Sequence, residues 1–153
     1  MFNSAMPWIY DIGLALGIDA AAHRGALSVG GRTLAVVGTG LHHLYPQEHQ
    51  DLAQEIERAG ALVSQFQLDF PGSRYSFLKR NYVLSGMAQV LVVVEGQAQS
   101  GTTSAVRGAL TQGRSVGLCA QLVQAQDWAR VLIETGQAFT VHSVDDILRR
   151  VEF

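Results

Sequence analysis

Arg74 to Thr103 reads RYSFLKRNYVLSGMAQVLVVVEGQAQSGTT, and three kinds of chemistry follow one another within it. Arg74-Tyr75-Ser76-Phe77-Leu78-Lys79-Arg80-Asn81-Tyr82 is basic, aromatic and free of acids. Val90-Leu91-Val92-Val93-Val94 is short, apolar and β-branched, the pattern of a parallel strand buried on both faces. Gln99-Ser100-Gly101-Thr102-Thr103 is small and hydroxylated, with helical spacing behind it. A buried strand that ends in a small polar turn and opens a helix is an α/β pattern, and the amides of such a turn can seat an anion. Cations and rings beside that seat point to a polymer of phosphates and bases.

Working outward, the flanks repeat the same alternation. Upstream, Asp19 is placed to cap a helix running to Leu27, and Gly30-Gly31 stops it. Thr33 to Val37 reads as a strand closing on Gly38-Thr39-Gly40. Gln47 to Arg58 has helical spacing and ends before Gly60, and Ala61 to Phe66 is a further strand. Tyr75 to Gly86 reads as a helix in which Phe77 and Arg80, and likewise Tyr75 and Lys79, fall on neighbouring faces, with Tyr75 and Tyr82 turned to the core. Downstream come a helix from Ser104 to Gln112, a strand from Ser115 to Cys119 and a helix from Asp127 to Glu134. A strand from Ala138 to Val141 and a helix from Ser143 close the chain, Ser143 and Asp146 forming a capping box. The expected architecture is an α/β, Rossmann-like three-layer sandwich with a mainly parallel sheet in a single domain. Residues 1–11 are an arm or partial strand, and 12–153 the Rossmann-like domain.

Composition narrows the function. With 153 residues, 48% apolar and 16% charged, the chain can bury one substantial core. A net charge of −2 rules out a polycation, so nucleic-acid binding must come from a local patch. The single cysteine excludes an internal disulfide framework and fits a reducing cytoplasm. No apolar run approaches membrane-spanning length, and the first ten residues lack the pattern of a signal peptide.

Several motifs admit a plain structural explanation beside a functional one. Gly38-Thr39-Gly40 follows a strand, and its glycines either let amides approach a phosphate or serve chain reversal alone. His43 stands where a dinucleotide fingerprint needs its third glycine, so no nicotinamide cofactor is expected. Ser100-Gly101-Thr102 is either an anion contact or an ordinary helix cap. His42, His43 and His49 have no carboxylate or cysteine to complete a metal set. Cys119 has no evident catalytic partner, and Glu95, just past the valine-rich run, reads as a solvated loop carboxylate. No catalytic residue, metal or cofactor is assigned.

Taken together, these residues resemble the Rossmann-like core of the DNA-processing protein A (Smf) family, a bacterial factor in natural transformation. The resemblance is carried by Gly17-Ile18-Asp19-Ala20-Ala21-Ala22-His23-Arg24-Gly25-Ala26-Leu27, by Val36-Val37-Gly38-Thr39-Gly40-Leu41 with Tyr45-Pro46, and by Phe77-Leu78-Lys79-Arg80-Asn81. It continues through Val90 to Glu95, Ser100-Gly101, Ala109-Leu110, Gln112-Gly113-Arg114 and Val144 to Leu148. It implies a non-catalytic protein that binds single-stranded DNA, helps load a RecA-type recombinase and forms a homodimer. Lys79 and Arg80 would hold phosphates, Phe77 would stack on a base, and Asn81 would support the loop. Arg74, Gly38, Thr39, Gly40, Ser100, Gly101 and Thr102 complete the expected contact set. Four departures stand out: no counterpart of the family's opening strand with its glycine–serine–arginine turn precedes Ile12, Leu16 and Leu78 replace an arginine and a proline, and Ala120-Gln121 replaces a proline–glycine pair. The alternative is a nucleotide sensor or a phosphoribohydrolase-like enzyme of related architecture. The glutamate such an enzyme needs is missing, since Ser104-Ala105-Val106 follow Thr103.

Overall fold

The computed structural model describes residues 9–151. It contains β1 (Ile9–Ile12), α1 (Ile18–Ser28), β2 (Arg32–Val36), a short 3-10 turn (Gln47–His49), α2 (Gln50–Ala59), β3 (Ala61–Val63) and α3 (Arg74–Met87). After these come β4 (Val90–Val93), α4 (Gly101–Thr111), β5 (Ser115–Cys119), α5 (Ala120–Ala125), α6 (Asp127–Glu134), β6 (Phe139–Val141) and α7 (Val144–Leu148). The described strands form two three-stranded sheets, β1-β2-β3 and β4-β5-β6, and every pairing is parallel. The α/β class with parallel strands is the one the alternating pattern predicts. The chain divides into two compact units, Met1–Arg80 and Asn81–Phe153.

In the first unit, α2 buries Leu52, Ala53 and Ile56 against Leu14, Ala20, Ala35 and Val37. Its apolar residues recur on one face, and its polar ones face water. Gly60 ends the helix as expected, for a reason of space. A Cβ there would collide with the carbonyl oxygen of Thr33 in β2, so only glycine lets the chain pass into β3. β3 is shorter than the expected Ala61–Phe66. Ser64 leaves the ladder, its hydroxyl donating to the Thr39 carbonyl at 2.7 Å and accepting the Phe66 amide at 3.1 Å. The amino-terminal stretch takes the strand reading over Ile9–Ile12, paired with β2, while Trp8 lies outside the described residues. Asp19 does not cap α1. Gly17 holds the N-cap, and Asp19 instead accepts the Ala15 amide at 3.1 Å from within the first turn.

The second unit gathers Val93, Val106, Ala109, Val116, Leu118, Leu122 and Ala129 into its own core. The valine-rich run is expected to be buried on both faces, but β4 terminates its sheet and only Val93 is fully buried there. α5 has no counterpart in the sequence reading, because six residues that bury only Leu122 carry too short a period to register. The capping box on α7 is present: the His142 and Ser143 amides both donate to Asp146 at 3.0 Å, which holds its carboxyl below the usual range.

Candidate nucleic-acid interface

The basic and aromatic run forms the start of α3, and the side chains in it divide by task. Lys79 is exposed, with its ammonium 4.8 Å from the centre of the Tyr75 ring. Arg74 is exposed as well. Arg80 points the other way: Nη1 donates to the Val36 carbonyl at the end of β2 at 2.8 Å, and the guanidinium lies 5.9 Å from the Phe77 ring centre. Burial lowers the Arg80 pKa, and nearby Asp19 opposes that shift without cancelling it. The two neighbouring-face pairs expected from helical spacing, Phe77 with Arg80 and Tyr75 with Lys79, are therefore both present.

Gly38, Thr39 and Gly40 are buried. A Cβ on Gly38 would lie 2.5 Å from Cδ1 of Phe77, and one on Gly40 would strike the Gln67 and Leu68 carbonyls. The Gly38 carbonyl accepts the Ser76 hydroxyl at 2.6 Å, and the Gly40 amide donates to Phe70 at 2.8 Å. Of the two readings open for this turn, close packing of the chain explains all of these contacts.

In the second unit, Asn81 donates from Nδ2 to the Gly101 carbonyl at 3.0 Å, tying α3 to the first residue of α4. Ser85, fully buried, lies 2.5 Å from the Asn81 carbonyl and 3.0 Å from that of Ala105. Gln112 donates to the Tyr82 carbonyl at 3.0 Å, and Arg114 to that of Gly86 at 2.6 Å. Four side chains thus tie this part of α3 to α4 and to the turn that follows it, and Asn81 acts as a support for the turn at Gly101. Ser100 is the N-cap of α4, its amide donating to Thr103 Oγ1 at 3.3 Å and its hydroxyl to the Gln97 carbonyl at 2.7 Å. The Thr102 side chain sits against Gly96. The Ser100 hydroxyl is thus committed within its own loop, which leaves the backbone at the exposed Gly101 as the outward part of this turn.

The family model for DNA recombination-mediator protein A matches residues 11–152. The chain belongs to that family. It is 47% identical over 105 residues to protein Smf of Escherichia coli (strain K12), covering 68% of this chain and 28% of the relative. It is 34% identical over 143 residues to DNA processing protein DprA of Streptococcus pneumoniae, covering 92% of this chain and 50% of the relative. The X-ray structure of the Streptococcus pneumoniae DprA superposes with a TM-score of 0.79 at 32% identity, over 95% of this chain and 51% of that one. A structure concerned with the unique single-stranded DNA binding mode of DNA processing protein A from Helicobacter pylori gives 0.77 at 26% identity, over 92% and 63%. The chain thus spans half or less of the length of these two curated relatives, and its Rossmann-like fold is that of the solved structures.

One reading of α3 needs correction. Tyr75 and Tyr82, expected in the core, are 66% and 51% exposed. Their places at i and i+7, with Lys79 at i+4, recur on one helical stripe, and the apolar residues around them misled the assignment. The departures at Leu16 and Leu78 are both exposed. Sequence reasoning also missed Tyr45, whose ring meets that of Phe77 at 5.7 Å between centres. Its only signal was the Tyr45-Pro46 pair in the family resemblance, which carries no chemistry by itself.

A second missed feature is the buried His23. Its Nε2 lies 2.6 Å from the Gly13 carbonyl, which can only accept, so Nε2 carries the proton. Nδ1 lies 2.7 Å from Thr33 Oγ1, and that hydroxyl in turn is 2.9 Å from the Tyr10 carbonyl. With a neutral ring, the single Thr33 hydroxyl proton faces two acceptors, the Tyr10 carbonyl and Nδ1. Burial lowers the His23 pKa, and His49 adds to this. The Gly13 carbonyl and Asp19 oppose the shift, and the net direction is downward. The unfolded chain therefore takes up this proton more readily. The associated stability is complete above about pH 6.5 and is lost as pH falls from there towards the depressed folded value. Thermal midpoints measured between pH 7.5 and pH 5 should fall more steeply for the natural chain than for His23→Gln. Parallel profiles would show that this ring does not titrate with unfolding.

Proposed function

We propose that this chain binds single-stranded DNA without turnover, as the DNA-holding part of a recombination mediator in DNA uptake. The observation that carries the reading is the exposed stripe on α3, where Tyr75 and Tyr82 flank Lys79 and the ammonium rests beside one ring. Single strands are held where cations follow phosphates and rings take unstacked bases, and both tyrosines keep half or more of their surface open to water. Lys79 and Arg74 are the phosphate contacts. Phe77, Tyr75 and Tyr82 are the stacking surfaces, and in the second unit, taken by itself, the exposed backbone at Gly101 is an anion contact. Arg80 and Asn81 position these groups. Membership of the recombination-mediator family and the single-stranded DNA named for the Helicobacter pylori relative agree with this assignment. We extend the reading to a RecA-type recombinase as protein partner, a homodimer as the acting form and the cytoplasm as its place.

A nucleotide sensor or hydrolase would need Gly38-Thr39-Gly40 open to a phosphate, and Phe77 fills that space. Burial also raises the Cys119 pKa, away from the nucleophilic thiolate. The deciding experiment is a fluorescence-anisotropy titration with oligothymidine and with a duplex of equal length at several salt concentrations. Preference for the single strand, with log K falling linearly against log salt, is the expected result. Equal affinity for both, or no binding at low salt, would overturn the assignment.

A further inference from the structure

We propose that the groove lined by Leu41, His43, Tyr45, Gln47, Glu48 and Pro71 seats one unstacked nucleobase of the bound strand, a subsite separate from the α3 stripe. The inference rests on the single-stranded DNA reading above and adds a place where the strand is held by its base. Tyr45 is the reason. It is 61% exposed, yet its ring is braced on Phe77 at a 58° tilt. Phe77 is itself fixed, because Gly38 closes on it with no room for a Cβ. An aromatic ring held from behind and open in front is a ready stacking platform, since little side-chain freedom remains to be lost when a base lands on it.

Charge decides which part of the strand enters. The lining holds Glu48 and no lysine or arginine, and its His42 is engaged by Asp69 at 2.9 Å. A phosphate would meet a carboxylate there without compensation, whereas a neutral base would not. His43 and Gln47 bring an imidazole and an amide, each able to donate to or accept from the edge of a base. A base paired within a duplex has both faces stacked and its edge engaged, so only an unpaired one can occupy the groove.

The test compares oligothymidine with an abasic strand of equal length, using the full chain and fluorescence anisotropy. Tyr45→Leu should lower oligothymidine affinity about tenfold and leave the abasic strand unchanged. Tyr45→Phe should keep the natural preference, and thermal midpoints of both variants should match the parent. Equal losses on both strands, or no loss on either, would overturn the base subsite and leave the single-stranded DNA reading standing. Failure of the natural chain to bind either strand would end both.

Discussion

Arg80→Met should lower the thermal midpoint by roughly 5 °C, while Lys79→Ala leaves it unchanged. The two cations are sequence neighbours and would look equivalent in any charge count. Their surroundings differ completely. The Arg80 guanidinium is largely removed from water, donates to the Val36 carbonyl and faces Asp19. Methionine keeps much of the aliphatic stem but leaves that carbonyl without this donor and the carboxylate without its cation. A hydrogen bond from a charged donor contributes about 2 kcal/mol, and in a chain of this size each kcal/mol moves the midpoint by a few degrees. Arg80→Lys should recover only part of the loss, because an ammonium lacks the planar fork that reaches the carbonyl. Differential scanning calorimetry of the three variants without DNA checks this. A midpoint unmoved by Arg80→Met would mean the guanidinium is held for a ligand alone.

Arg80 also marks the limit of what the sequence could disclose. Nothing in Phe77-Leu78-Lys79-Arg80-Asn81 indicates that one cation turns to solvent while the next bonds a carbonyl 44 positions earlier. That choice depends on β2 ending beneath α3, a tertiary fact. Element positions were legible because their signals are local: Gly60 stops α2, Ser143 and Asp146 cap α7, and alternating apolar runs set the parallel strands. Burial was less legible. An apolar, β-branched run reads as central in a sheet, yet β4 lies at a sheet's end, because its place depends on which strands pair with it. Tyr75 and Tyr82 failed for a related reason. A helix with apolar residues on several sides gives no periodic stripe, so composition could not say which side faces water. The glycine turn at Gly38 to Gly40 was identified as a place of close approach. Only the structure shows that Phe77 is what approaches.

The double variant Arg74→Ala with Lys79→Ala should bind oligothymidine at least about tenfold more weakly at low salt, and its salt slope should be smaller by roughly 0.7 for each phosphate no longer neutralised. The control is Arg24→Ala with Arg58→Ala, two exposed arginines outside α3. Each pair removes two positive charges, taking the net charge from −2 to −4, so any effect of overall charge is the same in both. What differs is position. Arg74 and Lys79 belong to the run that also carries Tyr75, Phe77 and Tyr82, so a phosphate they hold lies near rings that can take its base. Lys79→Arg should preserve both affinity and slope, since the charge and its neighbouring ring remain. In an acidic protein a binding surface must be local to work at all, because long-range attraction to a polyanion is absent and the phosphates must be met at close range. If the control pair cost as much affinity as the α3 pair, the footprint would be diffuse and the assignment of these two side chains would fail.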